Sequence, residues 1–432
     1  MGGNDVADAF GTSVGTGTVT VTQAFILATV VEMMGSVASG FTGTGGKSLE
    51  IVDTSSYADN PDELVIGQIA MLIGCSIWLI IATFYSMPVS PIHSLLGATM
   101  GFSFVLRGWS GIIWDRVLVV ALVWILSPLA SAICTLFIFF LLDVSILRAK
   151  NPVKTGLRYL PLIYLLVVFT NVLLFLQDGS RILKFDELDP WVTVAISLLV
   201  GSISALIALF IIGPIMRKRL KKNKEELPRI ASSLSYRFEP SGWLRKAMFW
   251  AFPPMRNDDQ KAVRLFSLLQ LLTACFAGFA HGANDVTNCV APVRDLVHLY
   301  NQNYQDDNTT LNISVYVGLL STLAVLLGIW TLGIRVVRTV GEEFARMNPA
   351  TGFSVEFGAA IVALATNIYN IPQSMTHCLV GSIFGLGLVR SGPILKWKTV
   401  KYVFISWILT IPVSGLFAAA IMYLLQAILT HF

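Results

Sequence analysis

The chain is dominated by repeated blocks of apolar residues, each close to the length of a membrane-spanning helix. A helix needs about 20 apolar residues to cross a bilayer, where it must satisfy its own backbone hydrogen bonds because lipid offers none. Hydrophobic residues make up 55% of the 432, and charged residues only 13%, against about 25% in a soluble domain. The sequence therefore predicts an all-α polytopic membrane protein.

Eleven apolar segments can be placed along the chain, and several are short or interrupted by Pro and Gly. They lie at residues 18–40, 64–86, 92–107, 112–142, 159–176, 191–213, 263–282, 313–334, 355–370, 378–389 and 399–427. The short and interrupted segments predict broken or re-entrant helices among the complete spans.

The charges of the connecting segments predict the orientation. Lys and Arg concentrate in residues 217–262, and residues 144–158 carry four more basic side chains without an acid. Both segments are expected in the cytoplasm, because positive loops stay inside. The positive charge is then expected on a solvated cytoplasmic loop, with membrane lipid rather than nucleic acid as an additional partner. The acidic segments 43–63 and 177–190 are expected outside.

Two glycosylation sequons agree with this orientation. They begin at Asn308 and Asn312 and are expected to share one outside loop of a glycoprotein.

The chain also contains an internal duplication. Residues 3–7 resemble 283–287, residues 82–90 resemble 365–374, and residues 124–128 resemble 407–412, with offsets of 280 to 284 positions. Four residues recur 284 positions on, namely Ser90, His93, Gly97 and Gly101 as Ser374, His377, Gly381 and Gly385. Several matches in one register indicate a repeat.

The repeat predicts the domain organisation. Loop charges place the two Pro-containing motifs on opposite sides, so the halves are expected to be inverted-topology repeats. We expect a first repeat at 1–143, linking helices at 144–216, a basic cytoplasmic loop at 217–262 and a second repeat at 263–432. About twenty mostly apolar residues precede the second Asn-Asp motif and only three precede the first. A truncated N-terminus, with the first helix missing, is therefore expected.

Two repeated Asn-Asp pairs are candidate cation ligands. Asn4 with Asp5 and Asn284 with Asp285 occupy equivalent positions in the two halves. A carboxylate within a membrane faces a cavity, a partner or a cation, and hard cations favour oxygen ligands. The alternative is that each pair only caps a helix.

The repeated Pro–Ser motifs are a candidate oxyanion site. In each motif a Pro and hydroxyl residues open a Gly-containing apolar segment, which predicts a capped helix N-terminus. Two such N-termini meeting at one point would supply backbone donors. The hydroxyl donors would be Ser90, Ser94, Ser374 and Thr376. Capping alone, with His93 and His377 merely buried and hydrogen-bonded, remains the alternative.

Three further ionisable residues lie in or beside apolar segments. Glu32 and Glu356 are single carboxylates that are not equivalent in the repeat, and His281 lies next to the second Asn-Asp pair. Intramembrane ionisable groups are functional candidates by default. No nucleophile–base arrangement or metal motif stands out, so neither an enzyme nor a cofactor is predicted.

These motifs resemble the inorganic phosphate transporter (PiT) family, which includes sodium–phosphate symporters. That family carries Gly-Ala-Asn-Asp-Val-Ala-Asn in both halves, and residues 282–288 read Gly-Ala-Asn-Asp-Val-Thr-Asn. Its Pro-x-Ser-x-Thr-His motif matches Pro372 to His377, with Met375 in place of a hydroxyl residue. Two further departures are Asp8 in place of the signature Asn, and Pro91-Ile92 in place of a Gly-Thr pair.

The resemblance implies phosphate uptake coupled to sodium or protons, and our own hypothesis for the mechanism is alternating access. It places Asp5, Asp285, Glu32, Glu356, Ser90 and Ser374 at functionally important positions. We therefore expect phosphate at Ser90, Ser94, Ser374, Thr376 and His377, sodium at Asp5 and Asp285, and a plasma-membrane location. A sulfate permease and a transport-dead receptor remain alternatives, and a homodimer is an open possibility.

Overall fold

The computed structural model describes residues 1–38, 51–57, 59–177, 185–222, 258–300, 307–345, 347–369, 371–391 and 395–430. Regular structure in these ranges is helical, apart from one isolated β-bridge between Val52 and Ile112. The helices are α1 Gly2–Gly15, α2 Val21–Ala38, α3 Pro61–Phe84, α4 Pro91–Arg107, α5 Trp114–Leu142, α6 Pro152–Gln177, α7 Pro190–Ile207, α8 Gly213–Lys222, α9 Gln260–Arg264, α10 Ser267–Tyr300, α11 Asp307–Arg338, α12 Pro349–Ile368, α13 Met375–Ser391 and α14 Trp397–Thr430.

Nine spans in the described residues are long and apolar enough to cross a bilayer. The spans of α5, α7 and α11 each continue through a short π-helical turn. Large apolar side chains point outward, as Leu199 and Phe210 do at 61% and 70% exposure. Exposed apolar surface on this scale suits lipid rather than water. The protein is an integral membrane protein, as predicted.

Each predicted apolar segment corresponds to a helix, and the structure adds α1 and the short helices α8 and α9. Sequence reasoning missed α1 because its fourteen residues carry Asn, two Asp and several hydroxyl and Gly residues, so it forms no apolar block. α1 is nevertheless buried, packed on α10 and α11. Tertiary contacts, rather than lipid, surround this helix.

Three predicted boundaries were wrong. The segment predicted to end at residue 282 continues as α10 through the second Asn-Asp pair. Asn308 and Asn312 lie in the first turns of α11 rather than in a loop. Residues 217–222 of the basic segment belong to α8. Residues 223–257 lie outside the described residues.

Helix packing follows the duplication. α4 packs on α14 and α13 packs on α5, while α3 packs on α14 and α12 packs on α5. The close approaches recur as well: a Cβ on Gly101 would lie 2.0 Å from the Gly415 carbonyl oxygen, and one on Gly385 would lie 2.6 Å from Ala132 Cβ. Each half therefore supplies a long helix against which the short helix of the other half packs.

Contacts at the two ends of α5 show the directions of α3 and α12. Glu63, in the first turn of α3, pairs with Arg107 at 2.6 Å, just before α5 begins. α9 contacts both α12 and the π turn that follows α5, and Gly352 near the start of α12 abuts Gln270 near the start of α10. α3 and α12 thus start near opposite ends of α5.

Candidate functional site

Two helices begin inside the bundle, each capped by the serine that the sequence singled out. Ser90 Oγ accepts a hydrogen bond from the His93 amide at 3.5 Å, and Ser374 Oγ accepts one from the His377 amide at 3.3 Å. Non-helical backbone precedes α4 and α13. The amides of Ile92, Met375 and Thr376 precede the capped ones and have no acceptor four residues back in their own helices. Both N-termini therefore keep backbone donors for a ligand.

Repeat-related aromatic rings bring these two N-termini together. The ring centroids of His93 and His377 are 4.7 Å apart. Trp407 lies 3.9 Å from His377, and its repeat partner Trp124 lies 6.0 Å from His93. Trp407 Nε1 also donates to the Pro88 carbonyl at 3.0 Å. The starts of α4 and α13 thus meet at one four-ring cluster.

Four buried acids interact electrostatically, and one of them, Asp8, contacts the first turn of α13. Asp5, Asp8, Asp285 and Glu32 are each at most 3% exposed. Asp5 interacts electrostatically with Asp8 and Asp285, and Glu32 does so with Asp285. In the part of the chain that the structure describes, Asp5 Oδ1, Asp8 Oδ1, Asp285 Oδ2 and both Glu32 carboxylate oxygens have no hydrogen-bond partner. Buried charges require compensation.

Asp8 connects the acidic cluster to α13. Thr376 Oγ1 donates a hydrogen bond to Asp8 Oδ2 at 2.5 Å. His281 approaches the same cluster, with its Nδ1 3.9 Å from Asp5 Oδ2. The capping interpretation fails for the second Asn-Asp pair, because Asn284 and Asp285 lie in the middle of α10.

Asn4 makes contacts that the sequence did not predict. Its Nδ2 donates to the Met87 carbonyl at 2.8 Å and to Thr83 Oγ1 at 3.2 Å. Its Oδ1 accepts from the Val89 amide at 3.1 Å. Asn4 therefore fixes the non-helical segment before α4, while its carbonyl oxygen keeps one lone pair free.

Glu356 lies in a separate cage of donors. Its carboxylate accepts hydrogen bonds from the Thr12 and Thr273 hydroxyls, from Ser13 Oγ at 3.2 Å and from Gln270 Nε2 at 3.4 Å. Four donors from α1 and α10 thus surround a carboxylate of α12. The cage satisfies its lone pairs, in contrast to the acids around Asp5.

A cavity connects the two groups. Asp8, His281, Glu356 and Thr273 line it, together with Met375 and Leu379 from the first turns of α13. Asn171 of α6 adds a polar group from the linking helices. The cavity therefore runs from the start of α13 to the Glu356 cage.

Most of the predicted site residues come together. Ser90 and Ser374 meet through the aromatic cluster, Thr376 contacts Asp8, and Asp5 lies beside His281 and Asp285. Ser94 is buried in the first turn of α4. Asn284 is partly buried and makes none of the side-chain hydrogen bonds seen for Asn4 within the described residues. No group of three His, Cys, Asp or Glu side chains among the described residues is arranged to hold a metal ion by itself.

Several residues at the site were not predicted. They are Thr83, Trp124, Asn171, Gln270, Thr273 and Trp407, while Asp8 was noted only as a departure from the family signature. Trp124 and Trp407 belonged to a matched repeat segment, which was their available signal. Gln270 and Thr273 carried no repeat signal, because they are single polar residues in an apolar helix.

A bundle of membrane-spanning helices with two helix N-termini and buried acids at its centre defines a membrane transporter. Residues 1–418 match the model of the phosphate transporter family, and the chain belongs to that family. It is a transporter and not an enzyme.

Individual relatives cover nearly the whole chain. The mouse protein named sodium-dependent phosphate transporter 1 is 25% identical, over 99% of this chain and 93% of its own. A Pyrococcus furiosus protein that carries a phosphate permease name is 31% identical, over 98% of this chain and 92% of its own. A solved structure titled "The sodium-dependent phosphate transporter" is 29% identical, with a TM-score of 0.77, and covers 99% of this chain and 95% of that one.

Proposed function

We propose that this chain carries inorganic phosphate across the plasma membrane together with sodium, by alternating access. The main support is the meeting of the α4 and α13 N-termini at the His93–His377 pair, with buried acids beside them. In this proposal the Ser90, Ser94 and Ser374 hydroxyls, the first-turn amides and His377 bind phosphate, and Thr376 joins them by turning its hydroxyl proton from Asp8 to the anion. Helix N-termini suit anions because their amides point at the ligand.

The unpaired carboxylates supply the reason for a cation. Asp5, Asp8, Asp285 and Glu32 are linked by electrostatic interactions, and an anion entering beside them would be repelled. Sodium held by Asp5 and Asp285, with the carbonyl oxygens of Asn4 and Asn284, would offset the charge and complete the site. His281 would adjust the charge of this cluster through its contact with Asp5.

Coupling to cations also fits the energetics of uptake. Moving one negative charge inward against the membrane potential costs roughly 2.3 kcal/mol per 100 mV. Two or more sodium ions would offset that cost for phosphate. The names of the mouse relative and of the solved structure, both sodium-dependent, agree with sodium rather than protons.

The packing supports alternating access. α3 and α12 begin near opposite ends of α5, and the contacts of α4 with α14 repeat those of α13 with α5. We infer inverted repeats in which one half rocks against the other around a central site. The short helices α4 and α13, each packed on a long helix of the other half, would then expose the site first to one side of the membrane and then to the other.

The experiment is uptake of radiolabelled phosphate by the purified chain in proteoliposomes. An inward sodium gradient is compared with choline, and Asp285→Asn is compared with Glu63→Gln, which removes a carboxylate outside the site. We expect sodium-dependent uptake by the wild type and by Glu63→Gln, and at least a tenfold loss for Asp285→Asn. Equal uptake in choline, without a proton gradient, would disprove coupling. Uptake of sulfate in place of phosphate would disprove the proposed substrate. Absence of any uptake by the folded protein would disprove the proposed transport.

A further inference from the structure

Asp8 is the acidic residue in direct contact with the first turn of α13. The Thr376 hydroxyl donates to its Oδ2 at 2.5 Å, while its Oδ1 has no partner among the described residues and the side chain is 3% exposed. Asp8 also lines the cavity that Met375 and Leu379 border. A buried hydrogen-bond acceptor with no partner in the described part of the chain therefore lies beside the proposed anion site.

The other groups at these N-termini are mainly donors. The backbone amides donate and the Ser374 hydroxyl can donate, whereas an ionised carboxylate only accepts hydrogen bonds. Phosphate keeps at least one P–OH group near neutral pH, and sulfate keeps none. An acceptor at this point distinguishes the two anions, because sulfate would place an unprotonated oxygen against the carboxylate.

The repeat shows that this acceptor is specific to one half. Position 288, which corresponds to position 8 in the second half, is Asn. An Asn side chain can donate through its amide to an unprotonated oxygen, and an Asp side chain cannot. The two halves therefore differ at this position: Asp8 can only accept a hydrogen bond when ionised, whereas Asn288 can also donate one. A protonated oxyanion can donate to Asp8, and an unprotonated one cannot.

We propose that Asp8 is a specificity-determining residue that accepts a hydrogen bond from the P–OH group of phosphate and thereby excludes oxyanions without a proton. The inference rests on the proposed function and deepens it. Sites built to bond a substrate hydroxyl reject analogues that lack it far more strongly than sites that discriminate by size.

The test is competition for phosphate uptake in proteoliposomes. Sulfate and monofluorophosphate are the probes, since both are tetrahedral dianions and the second replaces the P–OH of hydrogen phosphate by P–F. In the wild type, neither probe should inhibit at about 30-fold excess over phosphate. In Asp8→Asn, the inhibition constants of both probes should fall at least tenfold relative to that of unlabelled phosphate.

Two controls separate this proposal from its rivals. Glu63→Gln removes a carboxylate outside the site and should keep the wild-type selectivity. Asp8→Glu keeps an acceptor and should also exclude both probes, at reduced phosphate affinity. If Asp8→Asn changes the sodium dependence of uptake but leaves the selectivity unchanged, Asp8 is a cation ligand and the proposal is wrong.

Competition measured with the wild type alone tests the proposal even if Asp8→Asn fails to fold. Monofluorophosphate that competes as strongly as unlabelled phosphate would overturn the role of a P–OH acceptor, and failure to compete would support it. Absence of phosphate uptake by the wild type would instead count against the proposed function, so the two failures are distinguishable.

Discussion

The imidazole rings of His93 and His377 lie edge to face with their centroids 4.7 Å apart, although 284 positions separate them in the sequence. Each ring belongs to the first turn of a short helix, and each helix packs on a long helix of the other half. The contact thus joins the two halves of the chain at the centre of the proposed site.

This contact predicts energetic coupling between the two histidines. Residues in contact show interaction energies of about 0.5–3 kcal/mol in double-mutant cycles. We expect His93→Ala and His377→Ala to be non-additive by at least about 0.5 kcal/mol in denaturant unfolding of the protein in detergent. His377→Ala combined with Tyr57→Phe serves as the control and should be additive. Additivity in both pairs would show that the rings do not stabilise each other.

Asn4 is predicted to stabilise the segment before α4. Asn4→Ala removes the partner of the Val89 amide and of the Met87 carbonyl. A buried polar group without a partner costs about 1–3 kcal/mol, so thermal unfolding in detergent should show a loss of that size. Ser76→Ala is the control: Ser76 is exposed and bonds only within its own helix, so its loss should cost under about 0.5 kcal/mol. Equal melting temperatures for the two variants would contradict the prediction.

Glu356→Gln should destabilise the protein by about 1.5–3 kcal/mol, the range for hydrogen bonds to charged groups. The carboxylate accepts from Thr12, Ser13, Gln270 and Thr273, and an amide nitrogen would oppose at least one of these donors. Glu63→Gln, which breaks a partly exposed pair with Arg107, should cost about 0–1 kcal/mol. Chemical unfolding of both variants measures the difference, and a larger effect at Glu63 would refute the donor cage.

Gly101→Ala should separate α4 from α14. A Cβ at this position would lie 2.0 Å from the Gly415 carbonyl oxygen, a backbone atom that cannot rotate away. We expect loss of the monodisperse peak in size-exclusion chromatography after detergent extraction. Gly17→Ala is the control, since Gly17 has a φ of +70° but open space around it, and should cost only about 1–2 kcal/mol. A normal elution profile for Gly101→Ala would mean that the helices are further apart.

Tyr57 is predicted to make stability fall at alkaline pH. Burial raises the pKa of its phenol, against opposing effects of a hydrogen bond with Ser103 and of Arg107. The folded state then holds this proton more tightly than the unfolded state, so the contribution is complete below the unfolded pKa of about 10 and is lost as pH rises toward the folded value. Tyr57→Phe cannot ionise there. Melting temperatures between about pH 8 and 11 should therefore fall less for Tyr57→Phe, and parallel curves would contradict this.

Several features followed from the sequence because they depend on local properties. Apolar block length marked the helices, since a bilayer imposes that length on any span. Ser90 and Ser374 were recognised as caps because the cap is made within four residues. The continuation of α10 beyond residue 282 was missed because local composition does not predict it. The Asn-Asp motif in this part of α10 is polar, and its burial comes from packing against α1, α2 and α11.

The amino-acid sequence alone thus determined the membrane-embedded class, the duplication and the types of residue at the centre. Tertiary structure decided which of them meet: Thr376 with Asp8, Asn4 with Val89, and Glu356 with donors of α1 and α10. Hydropathy and capping act over a few residues, whereas these contacts depend on close helix packing at small residues hundreds of positions apart, such as Gly101 on Gly415. That long-range packing decides whether a buried carboxylate is surrounded by donors, as Glu356 is, or keeps an oxygen without a partner among the described residues, as Asp8 does.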